Sequence, residues 1–335
     1  MKEPLFLATH SQYLDHLEPI YLACKIGHFL VSRELEGFCK VRQLNYQVWD
    51  EDDVRQLQGE GPIVVAGYGN LHRVRGRVNR PLVLIEHGSG QTYGNLSPVF
   101  ADGGERHGVH LALVPGPHPA AGYARATPWV KVVQMGLPRQ ELLRQRSAVW
   151  PRETQPTVAF SFHWAPPGVP TIPELAAGWI YWMPAIAKLR QQIPNLKILG
   201  HGHPTAWPIL KKIWEGLGVE TVDRLEEVMG RAHVYCVDNS SSAFEFASVT
   251  GRPILLLDHP DWRTPSTFGL RFGVPGSYFR HCKSDVDLPR DIQAALREGM
   301  QPEEVTQRGK GLDLIYQPRT GGDKIAAAAI LALNE

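Results

Sequence analysis

The chain has 335 residues, of which 43% are hydrophobic and 21% charged, with a formal net charge of +1. At ~100–200 residues per domain that length implies two domains, and the near-zero charge excludes a global basic field for nucleic acid or membrane. The four cysteines (Cys24, Cys39, Cys236, Cys282) are far apart and form no C-x-x-C, so they are expected as reduced thiols of a cytoplasmic protein.

Met1-Lys2-Glu3-Pro4 leads into an apolar run too short for a signal peptide, and Ile325 to Leu333 is too short to span a bilayer, so no transmembrane segment is expected. Leu5-Phe6-Leu7-Ala8, Ile63-Val64-Val65-Ala66, Leu82-Val83-Leu84-Ile85, Val109 to Val114 and Val130 to Val133 read as strands of a buried, mostly parallel sheet. Leu14 to Cys24 reads as the first helix and Asp52 to Gln58 as a short one. The acidic run Asp50-Glu51-Asp52-Asp53 could mimic a divalent-metal site, but before an amphipathic stretch it is read as helix N-terminal complementation. Arg73, Arg75, Arg77 and Arg80 are read as a solvated loop. Glu86-His87-Gly88-Ser89-Gly90 follows the third of these strands. A His at a strand's carboxyl end, beside a glycine that admits a substrate, suits a general base; a loop His bonded to backbone is the plain alternative.

Pro138 to Pro156, rich in Arg, Gln and Glu, reads as a helix plus linker and puts a domain boundary near residue 150. A second series follows. It comprises the strands Val158 to Ser161, Leu196 to Leu199, Val219 to Val222, His233 to Val237 and Ile254 to Leu257. Between them are helices over Ile180 to Gln192, with Pro184 an irregularity, and Ile209 to Leu217. His201-Gly202-His203-Pro204 follows the second of these strands. His203 can donate to a phosphate oxygen; metal ligation through His201 and His203 lacks further ligands at a recognisable spacing. No Walker-type or dinucleotide-type glycine motif is present.

The most informative stretch is Asp238-Asn239-Ser240-Ser241-Ser242-Ala243-Phe244-Glu245. The serines fall where a strand hands over to a helix, where free N–H groups and the helix dipole favour a phosphate or diphosphate. A plain serine N-cap is the simpler reading.

Taken in order, these motifs resemble the CDP-glycerol glycerophosphotransferase-like branch of the GT-B glycosyltransferases. Its His-Gly is matched by His87-Gly88, and its boundary motif Gly-Tyr-Pro-Arg by Gly136-Leu137-Pro138-Arg139. Its His-Pro is matched by His203-Pro204, and its Asp-Tyr-Ser-Ser-x-x-Phe-Asp by Asp238 to Glu245. The Lys/Arg-Pro-Ile that follows appears as Arg252-Pro253-Ile254. Asn239 replaces the aromatic and Glu245 the aspartate.

The resemblance implies an α/β fold of two doubly wound Rossmann-like domains facing across a cleft. Residues 1–150 would form an acceptor-side domain, 151–320 a donor domain, and 321–335 a C-terminal helix packing back on the first. It implies a cytoplasmic transferase that moves a sugar or phosphoalcohol from a CDP- or UDP-linked donor to an acceptor hydroxyl, without a cofactor or metal. His87 would be the base. His203, Gly88, Arg139, Asp238, Ser240, Ser241, Ser242 and Glu245 would serve the donor and its phosphates. The acceptor is open among a glycan, a lipid carrier, a small molecule and a modified nucleobase. The competing readings are a UDP-N-acetylglucosamine 2-epimerase-like enzyme and a non-catalytic nucleotide-sugar-binding module.

Overall fold

The protein is described from a computed structural model over residues 2–86, 106–163, 178–238, 240–258 and 279–334. Among these, the residues up to Glu141 and from Asp313 onward form one unit, and those from Leu142 to Leu312 form the other.

Every strand pair in both sheets is parallel. In the first unit β1 (Leu5–Ala8), β2 (His28–Val31), β3 (Tyr46–Val48), β4 (Ile63–Ala66), β5 (Leu82–Ile85), β6 (Val109–Val114) and β7 (Lys131–Gln134) form a sheet ordered β3-β2-β1-β4-β5-β6-β7. Alternation with period two sends Phe6, Ala8, Val64, Val83 and Ile85 to one face, against the helices Ser11–Cys24 and Gly322–Leu331. Leu5, Leu7, Ile63, Val65 and Leu84 go to the other, which also buries Tyr123. Covering both faces is what a near-continuous apolar strand requires.

In the second unit β8 (Thr157–Phe162), β9 (Lys197–Gly202), β10 (Glu220–Thr221), β11 (Val234–Val237), β12 (Ile254–Leu257) and β13 (Arg280–Cys282) are ordered β10-β9-β8-β11-β12-β13. Val158, Phe160, Phe162, Ile198 and Cys236 pack with Trp182, Trp214 and Ile292 from the helices Gly178–Ile186, Trp207–Gly216 and Leu288–Glu298. A Cβ on Gly200 would collide with the Trp214 indole, so this glycine lets the helix lie close on β9. Strand order reverses between β1 and β4 in one sheet and between β8 and β11 in the other. In doubly wound sheets, ligands bind beyond the strand carboxyl ends at such points.

Several expectations need correction. Strands β2, β3 and β13 were not anticipated from their short, mixed composition. The helix expected over 180–192 divides into Gly178–Ile186 and Leu189–Gln192, the break following Pro184, which has no N–H to continue the ladder. The short helix expected at 52–58 is a 3₁₀ turn, Val54–Leu57, whose Asp53 cap accepts from Arg55 N–H at 3.1 Å. The arginine run is not a solvated loop: Arg80 is buried and donates to the carbonyls of Gly61 and Gln58 at 2.5 and 2.9 Å, while Arg73 pairs with Glu51. Nor are residues 150–153 a loose linker. Trp150 packs on Gly230, and Glu153 accepts from Lys197 at 2.9 Å and Arg231 at 2.8 Å. No described helix is long and apolar enough to cross a membrane.

Candidate functional site at the carboxyl ends of the second sheet

The chain leaves β8, β9 and β11 at His163, His203 and Asp238. These exits are tied together. His163 N–H donates to Asp238 Oδ1 at 2.8 Å, and His203 N–H donates to the Phe162 carbonyl at 2.9 Å. The His163 and His203 rings stand side by side, their centroids 5.1 Å apart. His203 Nδ1 accepts from Thr205 N–H at 3.2 Å, so the neutral ring carries its proton on Nε2 and is a donor there. Asp238 is buried and braces the β8 exit by accepting from His163 N–H, and a Cβ on Gly178, at the start of the Gly178–Ile186 helix, would come within 3.2 Å of its Oδ2.

The serines begin the helix Ser242–Thr250, with Ser241 at the N-cap in helical geometry (φ −62°, ψ −17°). Phe244 and Phe246 are fully buried, and Phe246 stacks on Tyr235 at 4.7 Å. Each such side chain contributes about 1.5–3 kcal/mol of burial, enough to press the first turn into the sheet. The row of exposed hydroxyls expected from the sequence is therefore corrected. Ser240 and Ser242 are 8% and 9% exposed, and only Ser241 is half-buried. Ser242 Oγ lies 2.8 Å from the Tyr235 phenol and 2.9 Å from Ser240 Oγ. Glu245, 1% exposed, sits in the same first turn.

His201, one of the two residues considered for a metal, is fully buried on β9 with Nδ1 2.8 Å from Ser161 Oγ. Burial pushes its pKa down to about 4, so the ring is neutral near pH 7. Among the described residues no group of three His, Cys, Asp or Glu side chains is placed to hold a metal ion.

The remaining sequence candidates lie elsewhere. His87 and Gly88, like Asn239, fall outside the described residues. The residue before them, Glu86, ends β5 in a buried ion pair with Arg106 at 2.8 Å, and the Tyr123 hydroxyl donates to the same carboxylate. Arg139 belongs to the first unit, 4.0 Å from Asp15. Gly136 of the boundary motif has φ +74°, and a Cβ there would strike the Pro318 carbonyl; the glycine seats the returning C-terminal segment. Sequence reasoning missed His163, Ser161 and Tyr235. A polar residue inside an otherwise apolar strand was the available signal for Ser161 and Tyr235; His163 carried none.

A His Nε2–H after β9 and a helix start with serine donors after β11, on either side of the end of β8, form a donor set suited to anionic oxygens. No protein-family model matches the chain, and no curated protein matches it. Solved structures do. The wall teichoic acid polymerase TagF superposes with TM-score 0.64 at 12% identity, covering 99% of this chain and 88% of its own. UDP-GlcNAc 2-epimerase from Neisseria meningitidis, bound to UDP-GlcNAc, gives 0.59 at 12% identity over 99% and 100%. MurG from Acinetobacter baumannii gives 0.54 at 10% identity over 99% and 100%. At such identities the likeness establishes architecture alone: the chain has the GT-B-like α/β fold, with a seven-stranded and a six-stranded parallel sheet.

Proposed function

We propose that the protein is a transferase that moves a sugar or phosphoalcohol group from a CDP- or UDP-linked donor to an acceptor hydroxyl. The observation that carries this reading is the set of polar groups where the chain leaves β9, β8 and β11: His203 with Nε2–H as donor, His163 beside it, and the serine-led helix start after β11. That set would hold the donor's diphosphate and stabilise the negative charge that develops on the leaving phosphate. His87 would take the acceptor's hydroxyl proton. The acceptor oxygen would then form its bond to the anomeric carbon as a nucleoside diphosphate departs, or to phosphorus as CMP departs. Positioning, a base and charge stabilisation are the whole of the required chemistry. UDP-bearing neighbours of the same fold support a uridine nucleotide as the handle.

An epimerase of the same fold would convert its nucleotide-sugar without an acceptor, and a binding module would convert nothing. Incubating the protein with CDP- and UDP-linked donors, with and without a panel of hydroxyl acceptors, separates the three. Release of nucleotide that requires acceptor is expected; acceptor-independent conversion of the sugar would overturn the transferase reading. His87→Ala should lower the transfer rate by ~10²–10⁴ while donor affinity is retained, the usual worth of a general base. Unaltered turnover in that variant would remove His87 from the mechanism.

A further inference from the structure

The second sheet carries a polar line that its apolar face does not explain. Register places Ser161 beside His201 on β9 and beside Val237 on β11, and Val237 shares a face with Tyr235. His201, Ser161 and Tyr235 therefore lie on one face of three adjacent strands, while Phe160, Phe162 and Cys236 take the opposite, apolar face. His201 Nδ1 is 2.8 Å from Ser161 Oγ. Tyr235 Oη is 2.8 Å from Ser242 Oγ, which is 2.9 Å from Ser240 Oγ. Tyr235 is fully buried and Ser161 is 2% exposed, so bulk water does not compete along the line.

A hydroxyl has one hydrogen and two lone pairs, so the direction of one link fixes the others. Ser240 Oγ accepts from Ser242 N–H at 3.3 Å and from Ser242 Oγ–H at 2.9 Å. With the Ser242 hydrogen used in that way, Ser242 must accept from the Tyr235 hydroxyl. Both hydrogen bonds of the Ser240 hydroxyl among the described residues use it as acceptor, so its own hydrogen is left to donate to a ligand.

We propose that Tyr235 and Ser242 form a one-way hydrogen-bond chain that holds Ser240 as a donor to a phosphate oxygen of the nucleotide. The inference rests on the donor-binding reading above and adds positioning residues to it, none of which touches the nucleotide. Hydrogen bonds in series polarise one another in a low-dielectric interior, so each link strengthens the last donor.

The test is a double-mutant cycle read by calorimetry with UDP and CDP. Tyr235→Phe keeps the ring and its stacking on Phe246 but removes the first donor of the chain; Ser240→Ala removes its end. Each should weaken nucleotide affinity about tenfold, as expected for one hydrogen bond to a charged group, and the double variant should lose little more than either single one. Ser242→Ala, which removes the middle hydroxyl, should give the same loss. Uridine and cytidine, which lack phosphates, should bind all variants alike. Tyr235→Phe or Ser242→Ala binding UDP and CDP as tightly as the unmodified protein would overturn the chain, as would fully additive losses. An unmodified protein that binds neither nucleotide would overturn the donor reading itself, and this inference with it.

Discussion

The two sheets share one strand order over six strands, yet they bury opposite kinds of polar chemistry at their carboxyl ends. The first ends β5 in an ionic cluster, with Glu86 held by the fully buried Arg106, which lies over the Tyr123 ring at 4.7 Å. The second, beside the buried Asp238 carboxylate that accepts from His163 N–H, carries an uncharged His201 and a line of hydroxyls. Topology places the strand ends; the residue at each alternating position decides what they can do. A buried ion pair is demanding of geometry and fixes one arrangement. A neutral chain holds its place at lower desolvation cost and can present a donor at its end. The contrast predicts that perturbing the first cluster is felt as stability, and perturbing the second as nucleotide affinity.

The largest expected effect falls on the ionic cluster. Arg106→Met leaves the Glu86 carboxylate buried without its cation and should cost about 3–5 kcal/mol in urea unfolding. Burial, with the nearby Glu86 charge adding to it, keeps the Tyr123 phenol protonated well above its ordinary range, so Tyr123 stays a donor and does not replace the lost cation. Replacing Arg106, Glu86 and Tyr123 together with Met, Leu and Phe should recover most of the loss, because no charge is then stranded. A triple variant as unstable as Arg106→Met alone would mean that shape, rather than charge, holds this end of β5.

The buried neutral His201 leaves a pH signature. Burial lowers His201 from its ordinary value near 6.5 to about 4. Between those values the unfolded chain binds the proton and the folded chain does not, so stability is fully present above pH ~6.5 and falls as the pH drops toward 4. The whole shift is worth at most about 3 kcal/mol, at ~1.4 kcal/mol per unit. His201→Gln, uncharged throughout, should show a flatter stability profile across pH 4–6.5. Parallel profiles for the two proteins would show that His201 takes up no proton in that window.

Most of the architecture was legible because buried parallel strands announce themselves. The bounds of β1, β4, β5 and β12 were read directly from unbroken apolar runs, and those of β6 from a run broken only by His110. β3 and β13 escaped because edge strands of three residues, such as Tyr46-Gln47-Val48 and Arg280-His281-Cys282, need no apolar run. The serine-led helix start was also legible, since Ser240 to Ser242 precede the buried Phe244 and Phe246. The fate of the hydroxyls was not. Whether a serine faces solvent or a strand depends on what packs above it, and Tyr235, which takes up Ser242, lies on the preceding strand with no motif to mark it. Register alone brings Ser161 and His201 together, and register is a property of the folded sheet.

The smallest effect sharpens the comparison at the first sheet's own point of reversal. There Thr9 Oγ1 donates to Asn70 Oδ1 at 2.5 Å, and Asn70 Nδ2 donates to the Leu7 carbonyl at 3.0 Å, closing a link from the end of β1 to the helix after β4. Asn70 is fully buried and Thr9 nearly so. This pair satisfies itself, whereas the chain in the second sheet ends in a hydroxyl with a hydrogen to give. Thr9→Val keeps the branched shape and removes the donor, leaving a buried amide oxygen short of its partner, at a cost of about 1–2 kcal/mol. Affinity for UDP and CDP should not change. Ser240→Ala should show the reverse, with a stability change under about 1 kcal/mol and a clear loss of nucleotide affinity. Weakened nucleotide binding in Thr9→Val would mean that the first point of reversal also serves the ligand, and the division of labour between the two sheets would fall.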